Sequence, residues 1–377
     1  MHNKIEDTFL DHFNELKDPR SSRNRLYTIS EILLVTLGAA ICGAEGWQDV
    51  EDFGVLKIEY LRQFLSFKNG IPSDDTFRRF FRAIDPEAFQ AIFRAWVKSL
   101  QPALASDVIA IDGKASRHSF DGENNMLHMI SAYATDARLV LAQEKVSQKS
   151  NEITAIPSLL EWLDIKGSTI TIDAMGCQYK IADQIIKKEG DYIFSLKGNQ
   201  GELCKDVKEF FEDNDCSALN NLDIYEDFDK GHGRIETRKC LVSTDILWLK
   251  ERHPKWHTIK SIIRIDSTRE IKDKISMETR YYVSSIPGGS RKLLSKIRSH
   301  WAIENSLHWV LDMSFGEDQS RIRKENAPQV MAVVRHIALN LLQLKKANMP
   351  RQSIKRLRKM AGWDANTLSS ILFQNFS

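Results

Sequence analysis

A chain of 377 residues, 42% hydrophobic and 28% charged, has the composition of an ordinary globular protein with room for a main domain and a second domain or insertion. Its formal net charge is only +2, so bulk charge names no partner and any nucleic-acid site must come from local clustering. Five scattered cysteines (Cys42, Cys177, Cys204, Cys216 and Cys240) form no CxxC pair, which argues against a zinc ribbon or a disulfide framework and fits a reducing cytoplasm.

The first residues, MHNKIEDTFLDHF, are amphipathic and acidic, unlike a signal peptide. The most apolar run, ILLVTLGAAICGA from Ile32, spans 13 residues and reads as a buried helix too short to cross a membrane. Everything up to about Leu104 reads as helical. Thr28 or Ser30 can cap a helix through Gly43, with Glu31 in its first turn. GWQDVEDFGVLKIEYLRQFL gives another helix, and IPSDDTFRRFFRAI a shorter one with Ser73 as its N-cap. Asp85-Pro86 opens the next, with proline in the first turn. Arg78, Arg79 and Arg82 on one of these helices fit a DNA-binding module, and equally a helical bundle with a solvated basic edge.

From Ser106 strands alternate with helices. VIAIDGK, MLHMISAYAT and LVLAQEKV are three successive β-type runs. ITAIPSLLEWLDI (helix), STITIDAM (strand), YKIADQIIKKEG (helix) and DYIFSLK (strand) follow. This is the element order of an α/β, ribonuclease-H-like core with a mixed five-stranded sheet, residues 105–377 forming the catalytic domain after a helical domain over 1–104. Gly-rich nucleotide loops are absent. A β-rich stretch, about 222–287, interrupts the core as an insertion; PGGS then ends it, and a long helix begins at Ser290 or Arg291. A helical tail covers about 327–377, and its run from Lys345 to Lys359 is basic enough to contact phosphates or simply to be solvated.

Three carboxylates stand out. Asp112 ends the run VIAID, and Asp173 ends TITID, each before a small residue. Such strands fix the backbone while the carboxylate projects into a cleft, although an aspartate at a strand end is often only a turn former. Glu304 falls on a stripe with Ile297, Trp301, Leu307 and Leu311, flanked by His300 and His308, which reads as the buried face of a helix. A carboxylate there must be protonated, paired or metal-bound. A Glu–His pair satisfied inside a core is one explanation. The two aspartates in neighbouring strands favour another, an oxygen-ligand site for two Mg²⁺ or Mn²⁺ ions. A zinc site of His300, Glu304 and His308 is permitted by spacing but lacks an HExxH pattern. The histidines could orient Glu304, protonate a leaving group, contact phosphate or merely pack.

These residues sit within motifs that resemble the H-repeat-associated proteins, bacterial insertion-sequence transposases of the DDE superfamily. The resemblance runs over nearly the whole chain: DPRSSRNRLYTISEILL, GAEGWQDVEDFG, NGIPSDDTFRRFF, VIAIDGKASRHS, HMISAYAT, QKSNEITAIPSLL, TIDAMGCQ, GDYIFSLKGNQ, HGRIETR, RYYVSS, IRSHWAIENSLHWVLDMSFGED and VVRHIALNLL. It implies a ribonuclease-H-like core, Mg²⁺-dependent DNA cleavage by water, and joining by a 3′-hydroxyl. Asp112, Asp173 and Glu304 then form the acidic triad, and the longer gap before Glu304 accommodates the β insertion. Many relatives in the wider superfamily carry Tyr, Arg and Lys around the glutamate (Y-x2-R-x3-E-x6-K). Here those positions hold Ile297, His300 and Leu311, so basic help must come from His300, or from Arg298 off the helical register. Lys114, Arg117, Lys197, Asn199 and Arg234, each also readable as a turn residue with a solvated charge, join Arg298, His300 and His308 as the candidate DNA contacts. The implied partner is double-stranded DNA, at element ends and target, bound by a dimer or larger assembly. A nuclease of the same fold without strand transfer, and a catalytically silent DNA-binding relic, are the competing readings.

Overall fold

The computed structural model describes residues 9–100, 107–119, 126–147, 151–213, 222–231, 233–272 and 274–374. The expected domain boundary at 104/105, the first eight residues and Cys216 lie outside them; the four described cysteines are free thiols. Four helices of ten residues or more lead: α1 (Ile29–Cys42), α2 (Trp47–Leu56), α3 (Asp74–Ala83) and α4 (Pro86–Ser99). Thr28, not Ser30, caps α1 through a full capping box: its hydroxyl accepts from Glu31 N at 3.1 Å, and Glu31 Oε2 accepts from Thr28 N at 2.8 Å. Ser73 and Asp85 cap α3 and α4 as their sequences suggest.

The rest is organised by one mixed sheet. Its strands are β1 (Val108–Ser116), β2 (Leu127–Ala134), β3 (Leu139–Lys145), β4 (Thr169–Ile172), β5 (Asp191–Leu196), β6 (Asp223–Gly231), β7 (Arg234–Ser243), β8 (Ser261–Ile271) and β9 (Lys274–Ser284). They lie in the order β3-β2-β1-β4-β5-β9-β8-β7-β6. β1, β4 and β5 are mutually parallel and the other pairs antiparallel. Val108 to Ile111 and all of β4 are buried, as continuous apolar runs in central parallel strands should be. The helices α5 (Glu152–Trp162), α6 (Tyr179–Lys187) and α7 (Gly201–Asp213) alternate with these strands, and α5 packs on β2 and β3.

The β-rich stretch extends the core sheet: β9 pairs with β5 from Ile193↔Ser284 to Leu196↔Tyr281. Apolar residues where these strands join the core, Ile262, Ile263 and Val283, are buried, whereas the distal half of β9 is exposed. The C-terminal helices pack back onto the rest of the fold. Helix α8 (Ser290–Ser299) is followed by α9 (Trp309–Phe315), α10 (Ala327–Asn348), α11 (Ile354–Trp363) and α12 (Ala365–Leu372). Of these, α10 packs against α1, α3, α4 and β3, joining tail and N-terminal helices in one layer. Within the basic run, Arg358 is buried: its guanidinium donates to Ala40 O and Ile41 O and lies 4.1 Å from the Phe315 ring centroid. That arginine serves packing, unlike exposed Arg351, Lys355, Arg356 and Lys359. No single helix among the described residues is long and apolar enough to cross a membrane.

One side chain fastens the helical layer to the sheet. Asn340 of α10 is fully buried; its Oδ1 accepts from Val140 N at 2.8 Å and its Nδ2 donates to Val140 O at 2.9 Å, completing an edge strand as a neighbouring strand would. Asn340→Leu leaves both backbone groups buried and unpaired, so urea denaturation should show a loss of about 2–4 kcal/mol.

Candidate active site

Parallel pairing of β1 and β4 runs from Val108↔Thr169 to Ile111↔Ile172. The next residue of each is an aspartate, so Asp112 and Asp173 leave neighbouring strands at the same level and on the same side of the pleat. Asp173 directly follows β4, as its sequence suggests, and its Oδ1 accepts from Met175 N at 3.0 Å. Asp112 does not end its strand. β1 continues to Ser116 because β2 goes on pairing with it, from Asp112↔Ser131 to Ser116↔Leu127. Asp112 therefore stands where β4 stops and the sheet opens. Gly113 behind it gives room to a His128–Glu152 pair 2.9 Å apart; a Cβ there would come within 2.1 Å of Glu152 Oε1.

Glu304 approaches from another direction. After α8 the backbone turns at His300, and Ile303–His308 forms a π-helical segment that widens the turn before α9. That widening breaks the α-helical register on which a buried Glu304 was expected. Ile297, Leu307 and Leu311 are buried, but the Glu304 side chain is 48% exposed and Trp301 is 49% exposed. Both line a cleft of about 230 Å³ together with Asp112, Asp173, Lys197, Arg280 and His300.

His308 sits behind the carboxylates, 6% exposed. Its Nδ1 is 3.5 Å from Glu304 Oε2 and 3.6 Å from Asp112 Oδ2. Asp112, Glu304 and His308 each place one ligand atom within 4.8 Å of the other two, a group to which Asp173 does not belong. Burial, then the Glu304 carboxylate, pushes Asp112 up to about 8, while His308 holds Glu304 down to about 2.

The other candidates divide by their partners. Lys114 is caged by Asp312 (2.6 Å), Asp318 (3.1 Å) and Glu317 (3.4 Å) and is 12% exposed. Burial works to lower its pKa, but Glu317, Asp312 and Asp318 outweigh it and raise it. Lys114 thus fastens β1 to the end of α9, and in this state is no free phosphate ligand. Asn199 donates to Ala174 O, Arg234 pairs with Glu236, and Arg298 pairs with Asp227 and Asp229 on β6. Arg78, Arg79 and Arg82 pair with Asp74, Asp75 and Glu325. His300 Nδ1 is 3.0 Å from Thr171 Oγ1, and burial lowers its pKa. Lys197 is exposed at the cleft wall, and Arg117, 80% exposed, reaches Asp318 at 3.4 Å. Sequence reasoning missed Arg280, whose strand reaches the cleft only through the β5–β9 pairing, and the Lys114 cage, for which the acids of LDMSFGED were the available signal.

Comparison with known proteins now bears on this geometry. A family model described as the transposase DDE domain matches residues 104–341, and one described as DDE_Tnp_1-associated matches residues 10–97. The chain belongs to the DDE transposase family. It is 41% identical over 371 residues to a protein of Escherichia coli (strain K12) named "H repeat-associated putative transposase YhhI", covering 96% of this chain and 97% of that one. YbfD of the same strain, also named as H repeat-associated, is 46% identical over 62% of this chain and 92% of its own length. A solved piggyBac transposase synaptic complex with hairpin DNA aligns at a TM-score of 0.44 and 9% identity, over 99% of this chain and 78% of that one, too distant for inference. As a DDE transposase of an insertion sequence, the chain is a DNA-cleaving and strand-transferring enzyme.

The raised pKa of Asp112 has a thermodynamic signature. The folded chain holds that proton more tightly than the unfolded chain, whose Asp titrates near 3.8. Its stabilising contribution is therefore full below about 4 and is lost as pH rises through about 8. In metal-free buffer the thermal stability of the parent chain should fall relative to Asp112→Asn across that interval; parallel curves would show that Asp112 titrates normally.

Proposed function

We propose that Asp112, Asp173 and Glu304 are the catalytic triad of this transposase and together hold two divalent cations, Mg²⁺ or Mn²⁺, at a ribonuclease-H-like core. The observation that carries the reading is the in-register exit of Asp112 and Asp173 from paired parallel strands, with Glu304 facing the same cleft. The strand order β3-β2-β1-β4-β5, antiparallel then parallel, supports the fold assignment. The donor set fits hard cations: three carboxylates line one cleft. Such ions, when bound, lower the pKa of an attacking hydroxyl and stabilise the leaving oxygen in displacement at phosphorus.

The chain's own groups do the remainder. Lys197 supplies a cation at the cleft wall for DNA phosphates, beside Arg280, which pairs with Glu278 at 2.7 Å, and with Arg117 at the margin. Neutral His300, fixed by the Thr171 hydroxyl, serves as a hydrogen-bonding group there rather than as a permanent charge. The cages around Lys114 and Arg298 set the positions of β1 and α8, hence of Asp112 and Glu304. The substrate is double-stranded DNA, first at element ends, where water cuts the strand, then at the target, where the freed 3′-hydroxyl attacks. Two ends must be held together for joining, so the active form is a dimer or larger.

Asp173→Asn should abolish Mg²⁺-dependent nicking of element-bearing DNA, a drop of at least about 10²-fold, while gel-shift affinity for that DNA stays unchanged. Undiminished nicking would remove Asp173 from the triad. Labelled-end joining by the parent chain distinguishes strand transfer from simple hydrolysis.

A further inference from the structure

The imidazole of His308 enters the Asp112–Glu304 cluster from its buried side. Nδ1 lies almost equally far from both carboxylates, at 3.5 and 3.6 Å. A single N–H would satisfy one oxygen, and both separations exceed the roughly 3.2 Å limit of a good N–H···O bond. One nitrogen and two oxygens, all within 4.8 Å, instead have the spacing of donors gathered around one cation. Bonds of about 2.1 Å put neighbouring ligands roughly 3 Å apart and opposite ones roughly 4.2 Å apart.

The far side of the ring gives an independent sign. Nε2 of His308 is buried with no hydrogen-bond partner among the described residues. If His308 gives its Nδ1 lone pair to a cation, its hydrogen resides on Nε2.

We propose that His308 is a direct nitrogen ligand of the cation shared by Asp112 and Glu304. The proposal rests on the reading of the cleft as a divalent-metal site and adds a nitrogen donor to the carboxylate triad. Imidazole suits transition ions, so Mn²⁺ should bind more tightly than Mg²⁺, and His308→Asn should narrow that preference.

The test is pulsed electron paramagnetic resonance on the purified full-length chain with Mn²⁺ alone. The spectrum should carry ¹⁴N modulation from one histidine, retained in His300→Asn and lost in His308→Asn, which should bind Mn²⁺ about tenfold more weakly or worse. Circular dichroism melts establish that each variant is folded. Mn²⁺ that binds and is lost in Asp112→Asn, but shows no nitrogen modulation, would overturn the His308 assignment and leave the proposed function standing. Mn²⁺ binding indifferent to both Asp112→Asn and Glu304→Gln would overturn the metal site itself.

Discussion

The structure turns on the approach of two carboxylates, Asp112 and Glu304, in front of one buried histidine. Two such charges about 4 Å apart repel by roughly 4 kcal/mol at an effective dielectric constant of 20. Burial, with that repulsion added, raises the Asp112 carboxyl to about 8. Under the proposed function the same crowding attracts divalent cations, which concentrate positive charge beside a DNA phosphate.

Holding the cluster together falls to groups that never touch the cleft. Lys114, two residues beyond Asp112, reaches three acids at the end of α9, so β1 and the segment bearing Glu304 are tied at short range. Glu317 in that cage also faces buried Arg335 at 3.6 Å, and Phe315 beside it lies under Arg358. Through these contacts the helical layer, itself fastened to β3 by Asn340, backs the catalytic segment. The π-helical segment uses this backing: its widened turn carries Glu304 outward while Leu307 and His308 stay inside.

What could be read from sequence follows the range of the interactions involved. Helix starts such as Thr28-x-x-Glu31 and Asp85-Pro86 are local chemistry, and they stand where local chemistry puts them. The pairing of β1 with β4 followed from element order, and with it the neighbouring exits of Asp112 and Asp173. The environment of Glu304 was misjudged because an ideal α-helical period was applied across a π turn, whose extra residue leaves no mark in the apolar spacing. The end of β1 was misplaced for a similar reason: Asp-Gly suggests a turn, but strand length was decided by β2, far from the motif. Long-range ion pairs, such as Lys114 with Asp312 or Arg298 with Asp227, had no periodic signature. His308, taken as secondary beside Glu304, stands within 3.6 Å of both Asp112 and Glu304.

Membership in the DDE transposases fixes the class of reaction, and the cleft supplies a specific account of how this chain performs it. That account stands or falls on where a divalent ion settles. Anomalous diffraction from crystals of the full chain soaked in Mn²⁺ would locate it directly. The account predicts anomalous density in the cleft bounded by Asp112, Asp173 and Glu304, with Asp112 ligating. Mn²⁺ bound elsewhere while this cleft stays empty, with the carboxylates still gathered, would contradict it.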